Sequence, residues 1–300
     1  MSKLRVFTRD LAAYLQRNGV TDAEISVRRI TEHVLGVKSA SFPQSISPSL
    51  ANTVRQLSER RLFHEPLQYI LGEWDFYNLK GIKCAPPCLI PRPETEELVD
   101  LVVNAMRSTE TVQTTNRFFL EVGVGTGAIS IALLKYLQEH PTMQPWKGIG
   151  IDLNKAAVDL SNQNATKFGV FEDFDVARVA IADICDASNR SALDTATLDG
   201  KFVGFDMMVS NPPYIPSRHV SASAMQPEVY DWEDHRALDG GCDGLDVIRD
   251  IFSAACGVIH SCSDAEPTSL LKKDADIWLE TDESHANDIE KMVGALVVIL

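Results

Sequence analysis

Apolar residues recur at helical spacing through the first sixty positions. Leu4, Phe7, Leu11 and Leu15 share one face and Gly19 suits a C-terminal stop, which predicts a helix over 4–19. Ile30, Val34 and Leu35, with Asp22 near the start, predict a second over 22–35. Leu50, Val54, Leu57 and Leu62 predict a third over roughly 49–64. The polar stretch SASFPQSISPS links the second and third. The head is therefore a small helical bundle. It reads equally as a folding cap on a larger domain or as a surface that recognises a partner.

The pattern changes after residue 72. Trp74, Phe76 and Tyr77 precede Gly81, then come Pro86-Pro87 and Pro91-Arg92-Pro93, which predicts a short hairpin and a rigid linker over 73–95. Thr95 is expected to cap a helix that begins EELVDLVV, with its acidic first turn where the helix dipole favours it. From residue 118 the segments alternate. FFLEVG, GIGID, VARVAIAD, FDMMVS and ADIWLET read as strands, and AISIALLKYL, AAVDLSNQNA and LDVIRDIFSAACGVI as helices. Such alternation predicts an α/β domain over 96–300, a Rossmann-like parallel sheet covered on both faces. Ligands then sit at the carboxyl ends of the strands.

Charge narrows the partners. The chain of 300 residues has a net charge of −14, but residues 1–72 hold ten Lys/Arg against six Asp/Glu, a balance of +4. The body is strongly acidic, which argues against binding along a phosphate backbone. No direct contact with nucleic acid is expected. No apolar run is long enough to span a bilayer and no secretory signal opens the chain, so no membrane attachment is expected either. The six cysteines fit no zinc spacing and read as reduced thiols, so no metal is expected.

The first strand runs into Glu121-Val122-Gly123-Val124-Gly125-Thr126-Gly127-Ala128. Glycines there allow a tight turn and a close backbone approach to a ligand. Alone the run is ambiguous, since Gly123-x-Gly125-x-x-Ala128 also fits the dinucleotide fingerprint. Asp152 closes the next strand, where a carboxylate can accept both hydroxyls of a ribose. Asp183 is expected to end the third strand, within reach of an adenine amine.

The fourth strand ends in Ser210-Asn211-Pro212-Pro213-Tyr214. A nitrogen conjugated to a carbonyl or an aromatic ring is a poor nucleophile because its lone pair is delocalised. The Asn211 side-chain oxygen and the Pro212 backbone oxygen can each accept one N–H of such an NH₂ group. Together they fix its plane and enrich the nitrogen in electron density. Pro212 and Pro213 stiffen the turn, and Tyr214 offers a face for stacking. The chemistry expected is methyl transfer from S-adenosylmethionine to a planar amide or amino nitrogen, with neither a metal nor a strong base.

With both motifs placed, the chain resembles the HemK/PrmC family of release factor glutamine N5-methyltransferases. The resemblance rests on LQYILGEWDF (67–76), IPRPETEELV (90–99), EVGVGTGAIS (121–130), VSNPPYIP (209–216) and ALDGGCDGLDVI (237–248). It implies a substrate, the glutamine of a Gly-Gly-Gln loop in a peptide chain release factor. It implies that Glu121, Gly123, Val124, Gly125, Thr126 and Gly127 surround the methionine and ribose of S-adenosylmethionine. Asp152 holds the ribose, and Asp183 and Ile184 flank the adenine. Asn211, Pro212, Pro213 and Tyr214 hold the glutamine, with Asn211 also against the cofactor. Arg92, Thr95 and Glu96 support the mouth of the site. The likeness is nearest to the mitochondrial branch, which implies a mitochondrial, monomeric enzyme whose head docks the release factor. A chain starting near Glu73 is then expected to keep the cofactor site and to methylate a short Gly-Gly-Gln peptide about as well as the full chain does, but a whole release factor poorly. Two departures stand out. His235 replaces a proline, which is expected to loosen its loop, and the family's last antiparallel hairpin lies beyond Val298-Ile299-Leu300.

Three other readings stay open at this point. A DNA or RNA amino-group methyltransferase would use the same tetrad on a flipped base. A catalytically silent S-adenosylmethionine-binding scaffold would retain the glycines. A nicotinamide dehydrogenase explains the glycines but leaves Asn211 to Tyr214 without a task.

Overall fold

A computed structural model describes residues 2–108, 117–184, 197–198, 201–202, 204–256 and 269–293. Four helices form the head: α1 (Leu4–Arg17), α2 (Ala23–Leu35), α3 (Pro48–Glu59) and α4 (Leu67–Leu71). Their boundaries follow local chemistry. Ser47 accepts from Leu50 N, and Pro48 occupies the first turn of α3, where its missing N–H costs nothing. Gly36 and Gly72 close α2 and α4 in the left-handed region. Leu4, Leu11, Leu15, Val27, Ile30 and Val54 fill the core of the bundle.

Next comes an antiparallel hairpin, β1 (Glu73–Phe76) and β2 (Leu79–Lys83), then α5 (Thr95–Ser108). Thr95 is not the cap expected from sequence. It is the first residue within α5, buried, and its hydroxyl accepts from the Asn211 side chain instead of a backbone N–H of its own helix.

The body alternates β3 (Arg117–Val122), α6 (Ala128–Glu139), β4 (Trp146–Asp152), α7 (Lys155–Phe168), β5 (Phe174–Arg178) and β6 (Phe205–Ser210). One helical turn, α8 (Pro227–Tyr230), lies in the loop after β6. Then follow α9 (Asp246–Cys256), β7 (Leu271–Leu279) and α10 (Ala286–Val293). The sheet order is β7-β6-β3-β4-β5, all parallel. Strand order reverses beside β3, since β4 and β5 extend the sheet on one side and β6 and β7 on the other, and this makes a switch point where a crevice opens beyond the strand ends.

Strand periodicity divides the side chains between two cores. Phe119, Met207 and Val209 face α5, α6 and the hairpin. Leu120, Val122 and Met208 face α9 and α10. Gly148 and Gly150 in β4 leave room for neighbours. A Cβ at Gly148 would lie 2.5 Å from the Phe119 ring, and one at Gly150 would lie 2.7 Å from Val124. Strand β5 is shorter than VARVAIAD predicts. Its partner β4 ends at Asp152, so after Val179 N donates to Asp152 O there is no ladder left, and Ile181–Asp183 form a 3-10 turn. The end of the helix predicted over LDVIRDIFSAACGVI, Cys185, Cys262 and the residues after Val293 lie outside the described residues.

The head is bound to the body at several points. Trp74 packs against both the head core and the body core. The Tyr69 hydroxyl donates to Cys88 O at 2.6 Å, Trp232 Nε1 donates to Phe63 O at 3.1 Å, and Arg61 pairs with Glu228 at 3.2 Å. Among the described residues no helix is long and apolar enough to cross a membrane. No group of metal-ligating side chains gathers among them either.

Candidate active site

A cleft lies across the carboxyl ends of β3, β4 and β6. The turn after β3 forms its floor. Gly123 N and Val124 N donate to Ile151 O at 2.9 and 3.0 Å, and Gly125 N donates to Asp152 Oδ2 at 3.0 Å. Gly123 and Gly125 have φ of 73° and 52°, and a Cβ on either would meet nothing closer than 3.9 Å. Their backbone therefore presents an open face to the cleft, which is what a close ligand requires. Gly127 has a different task. It does not line the cleft, and its Cβ would fall 2.6 Å from Ser161 Oγ, so its smallness seats α6 against α7.

Asp152 sits at the wall with one backbone donor on each oxygen, Gly125 N on Oδ2 and Asn154 N on Oδ1 at 2.8 Å. Burial pushes its pKa up, while these two N–H groups pull it down. Each carboxylate oxygen keeps a second lone pair for a ligand hydroxyl. Glu121 lies deeper. It accepts from Ser130 N at 3.0 Å and from the Ser130 hydroxyl, and burial pushes its pKa up to about 8. Burial thus favours the neutral form of Glu121, although it borders the cleft.

The adenine side differs from the sequence reading. Val179, Ala180, Ile181 and Ala182 line the cleft, whereas Ile184 is fully buried in the core beneath it. Asp183 falls in the 3-10 turn, not at a strand end, and the placement of its side chain lies outside the described residues.

Asn211 follows Ser210, whose hydroxyl donates to Val122 O at 2.7 Å and so ties the ends of β6 and β3. Asn211 Nδ2 donates to Thr95 Oγ1 at 3.0 Å. Asn211, Pro213, Thr95 and Arg92 line the cleft. Pro212 is buried and Tyr214 half-buried, packed against the second core, with burial raising the Tyr214 pKa. The segment Ala237–Gly241 clamps the tetrad from outside. Ile215 N donates to Leu238 O and Gly240 N to Ile215 O, at 3.0 and 2.9 Å. A Cβ on Gly240 would lie 2.6 Å from Gly244 O and 2.7 Å from Pro213 O, so glycine is required by contact alone.

Arg92 is held by Glu233 at 2.6 Å, and Glu233 is buried with its pKa pushed up to about 7 against the pull of Arg92. Glu96 does not reach the cleft; its charge acts on Tyr77. His235 does not loosen its loop. Its ring bonds Tyr230 O at 2.7 Å and packs on the Tyr230 ring at 4.5 Å. Asp234, next to it, accepts from Asn154 Nδ2 at 2.8 Å and from Arg236, and all three line the cleft.

Sequence reasoning missed Asn154, Glu233, Asp234 and Arg236. Asn154 could have been found as the cap of α7, since Asp-x-Asn ends a strand just before a helix. It also missed Glu280, a buried carboxylate at the carboxyl end of β7, the same kind of position that singled out Asp152. The cleft can thus hold a ribosylated ligand along β3–β5 and offer an amide acceptor to a planar NH₂ group beside it.

Residues 8–72 match the PrmC N-terminal domain. A human protein, MTRF1L release factor glutamine methyltransferase, is 35% identical over 90% of this chain and 73% of its own length. A release factor glutamine methyltransferase from Geobacter sulfurreducens is 34% identical over 81% of this chain and 75% of its own. One from Bradyrhizobium diazoefficiens is 28% identical over 97% and 86%.

Proposed function

The chain belongs to the release factor glutamine methyltransferase family, and from that premise we propose that it methylates the side-chain amide nitrogen, N5, of the glutamine in the Gly-Gly-Gln loop of a peptide chain release factor. It is an S-adenosylmethionine-dependent enzyme. When bound, S-adenosylmethionine supplies an electrophilic methyl group on a sulfonium sulfur. The open glycine backbone at 123 and 125 and the remaining lone pairs of Asp152 fit such a ligand, and Val179 to Ala182 offer an apolar wall for its base.

The observation that carries the acceptor assignment is the Asn211–Thr95 bond. With Nδ2 committed to Thr95, Asn211 Oδ1 is the atom left to accept an N–H from the incoming amide. The Pro212 carbonyl accepts the other. Two acceptors fix the plane of the amide and direct the nitrogen lone pair out of it, towards the donor side of the cleft. They also draw both N–H bonds toward oxygen, which raises electron density on a nitrogen that is otherwise a poor nucleophile. The Pro212 and Pro213 rings fix φ, so no backbone ordering is needed when the glutamine arrives. A methylated amide nitrogen loses its extra proton readily to water, so the mechanism asks for no strong base.

The release factor is expected to dock partly on the head, and a mitochondrial location follows the resemblance to that branch. The test is direct. Purified protein is incubated with labelled methyl donor and intact release factors, and the modified residue is mapped by mass spectrometry. A label on the Gly-Gly-Gln glutamine whose rate of appearance falls at least about a hundredfold in Asn211→Ala supports the proposal. Label elsewhere, or on duplex DNA instead, overturns it.

A further inference from the structure

Glu280 has no part in the chemistry described so far. It follows the last residue of β7 and is 4% exposed. Its backbone N donates to Ser210 O at 3.0 Å, so it lies beside the start of the tetrad. Its carboxylate hydrogen-bonds with the Thr95 and Asn211 side chains, and both hold its pKa down against burial, which raises it on balance. Oε2 is buried and has no hydrogen-bond partner among the described residues. Glu280 does not line the cleft.

These contacts carry directional information. An ionised carboxylate only accepts hydrogen bonds. The Thr95 and Asn211 contacts both act against burial to favour the charged form of Glu280, and in that form it accepts from the Thr95 O–H and the Asn211 N–H. Asn211 Nδ2 also donates to Thr95 Oγ1, so both of its hydrogens are committed on the same side. A side-chain amide has two faces of opposite polarity that differ little in shape, and only its neighbours decide which atom points where. Here the acceptor-only group decides it, and Oδ1 is turned away from Glu280. An anion accepting from Nδ2 further polarises the amide and makes Oδ1 a stronger acceptor.

We propose that Glu280 is the positioning residue of the active site: through Thr95 and Asn211 it sets the Asn211 amide with its oxygen, and not its nitrogen, toward the substrate glutamine. This rests on the reading of Asn211 as the glutamine acceptor. A flipped Asn211 would offer a donor to another donor, and the glutamine would lose its plane and its activation together.

Glu280→Gln is the decisive variant. It keeps the shape and removes a buried charge, so folding is expected to hold. It also introduces an NH₂ group that can donate, which permits Asn211 to flip. The assay is steady-state methylation of a Gly-Gly-Gln peptide with labelled donor, together with calorimetric binding of S-adenosylhomocysteine and a melting curve. The expected result is at least a tenfold fall in kcat, with KM for peptide and affinity for S-adenosylhomocysteine within twofold of wild type. In an Asn211→Ala background the same substitution is expected to change the residual rate by less than twofold, because the amide it orients is gone. A kcat within twofold of wild type overturns the proposal. So does an equal loss in both backgrounds, which would mark Glu280 as structural support. Should Asn211→Ala itself retain more than half of wild-type activity, the acceptor assignment fails, which is a separate outcome from the failure of Glu280.

Discussion

Arg61 of the head and Glu228 of the loop after β6 form an ion pair at 3.2 Å, joining residues 167 positions apart. The same guanidinium donates to Asp22 Oδ1 at 2.7 Å, to Glu65 O at 2.6 Å and to Ser26 Oγ at 3.2 Å, and it is 5% exposed. One buried arginine thus fastens α2, the end of the bundle and the loop after β6. Arg61→Ala is expected to lower stability by roughly 1.5–3 kcal/mol, the scale for hydrogen bonds to a charged group, read by urea denaturation. These contacts change the expectation for a chain starting near Glu73: it is expected to lose activity on a short Gly-Gly-Gln peptide as well as on a whole release factor, because Phe63 and Arg61 no longer hold Trp232 and Glu228. Equal peptide activity with and without the head would show that the loop keeps its shape unaided.

Asp152 is expected to govern donor affinity rather than turnover. Replacing it with alanine removes the ligand hydroxyl acceptor and also strands Gly125 N and Asn154 N. A weakening of S-adenosylhomocysteine binding by about ten- to a hundredfold is expected, from roughly 1.5–3 kcal/mol of charge-assisted hydrogen bonding. Titration calorimetry gives the number directly, and unchanged affinity would take Asp152 out of the site.

Stability is expected to fall as pH rises from about 4.5 to 8. Glu121 is pushed up to about 8 from an ordinary 4.5, so across that window the folded chain keeps a proton that the unfolded chain has released. The unfolded state then binds fewer protons, and the slope of unfolding free energy with pH is negative. Glu233, pushed up to about 7, adds a decline of the same sign up to that pH. Glu121→Gln keeps an acceptor for Ser130 and removes its own share, so the melting temperature of this variant should vary less between pH 5 and 8 than that of wild type. Parallel curves would mean that Glu121 is charged throughout.

Gly240→Ala tests the clamp on the tetrad. The added methyl group would press on Gly244 O and Pro213 O, both backbone, so the turn itself must move. A drop in methyl transfer of at least about tenfold with donor binding retained is expected, since a displacement of about 1 Å in a positioning group can cost a hundredfold. Full activity would show that the loop relaxes elsewhere.

Periodicity carried the fold because each element had a single face to bury. Three head helices, the hairpin and the strand–helix alternation were all legible from spacing, and so was the place of Asn211 directly after β6. What was not legible depended on contacts between distant segments. Thr95 looked like a cap because a threonine before an acidic helical run usually is one, yet Asn211, 116 residues away, takes its hydroxyl. Gly127 looked like part of the ligand turn, but Ser161 sets its size limit. Ile184 followed Asp183 into the adenine reading, while the early end of β4 turned the chain and sent it into the core. Glu280 had the right position at a strand end and no neighbouring motif to draw attention to it.

The seam between β3 and β6 has a practical consequence. The walls suited to the donor come chiefly from β3, β4 and β5 and the turns after them, completed by Asp234 and Arg236. The seat for the accepting amide comes from the turn after β6, the end of β7 and Thr95 at the start of α5. The two halves meet through one pair of adjacent strands, pinned at the rim by Ser210 Oγ on Val122 O. For an engineer this is a natural cut line. Exchanging the tetrad turn together with the Thr95 segment it bonds is expected to change what receives the methyl group, while β3, β4 and the glycine turn between β3 and α6 stay as they are.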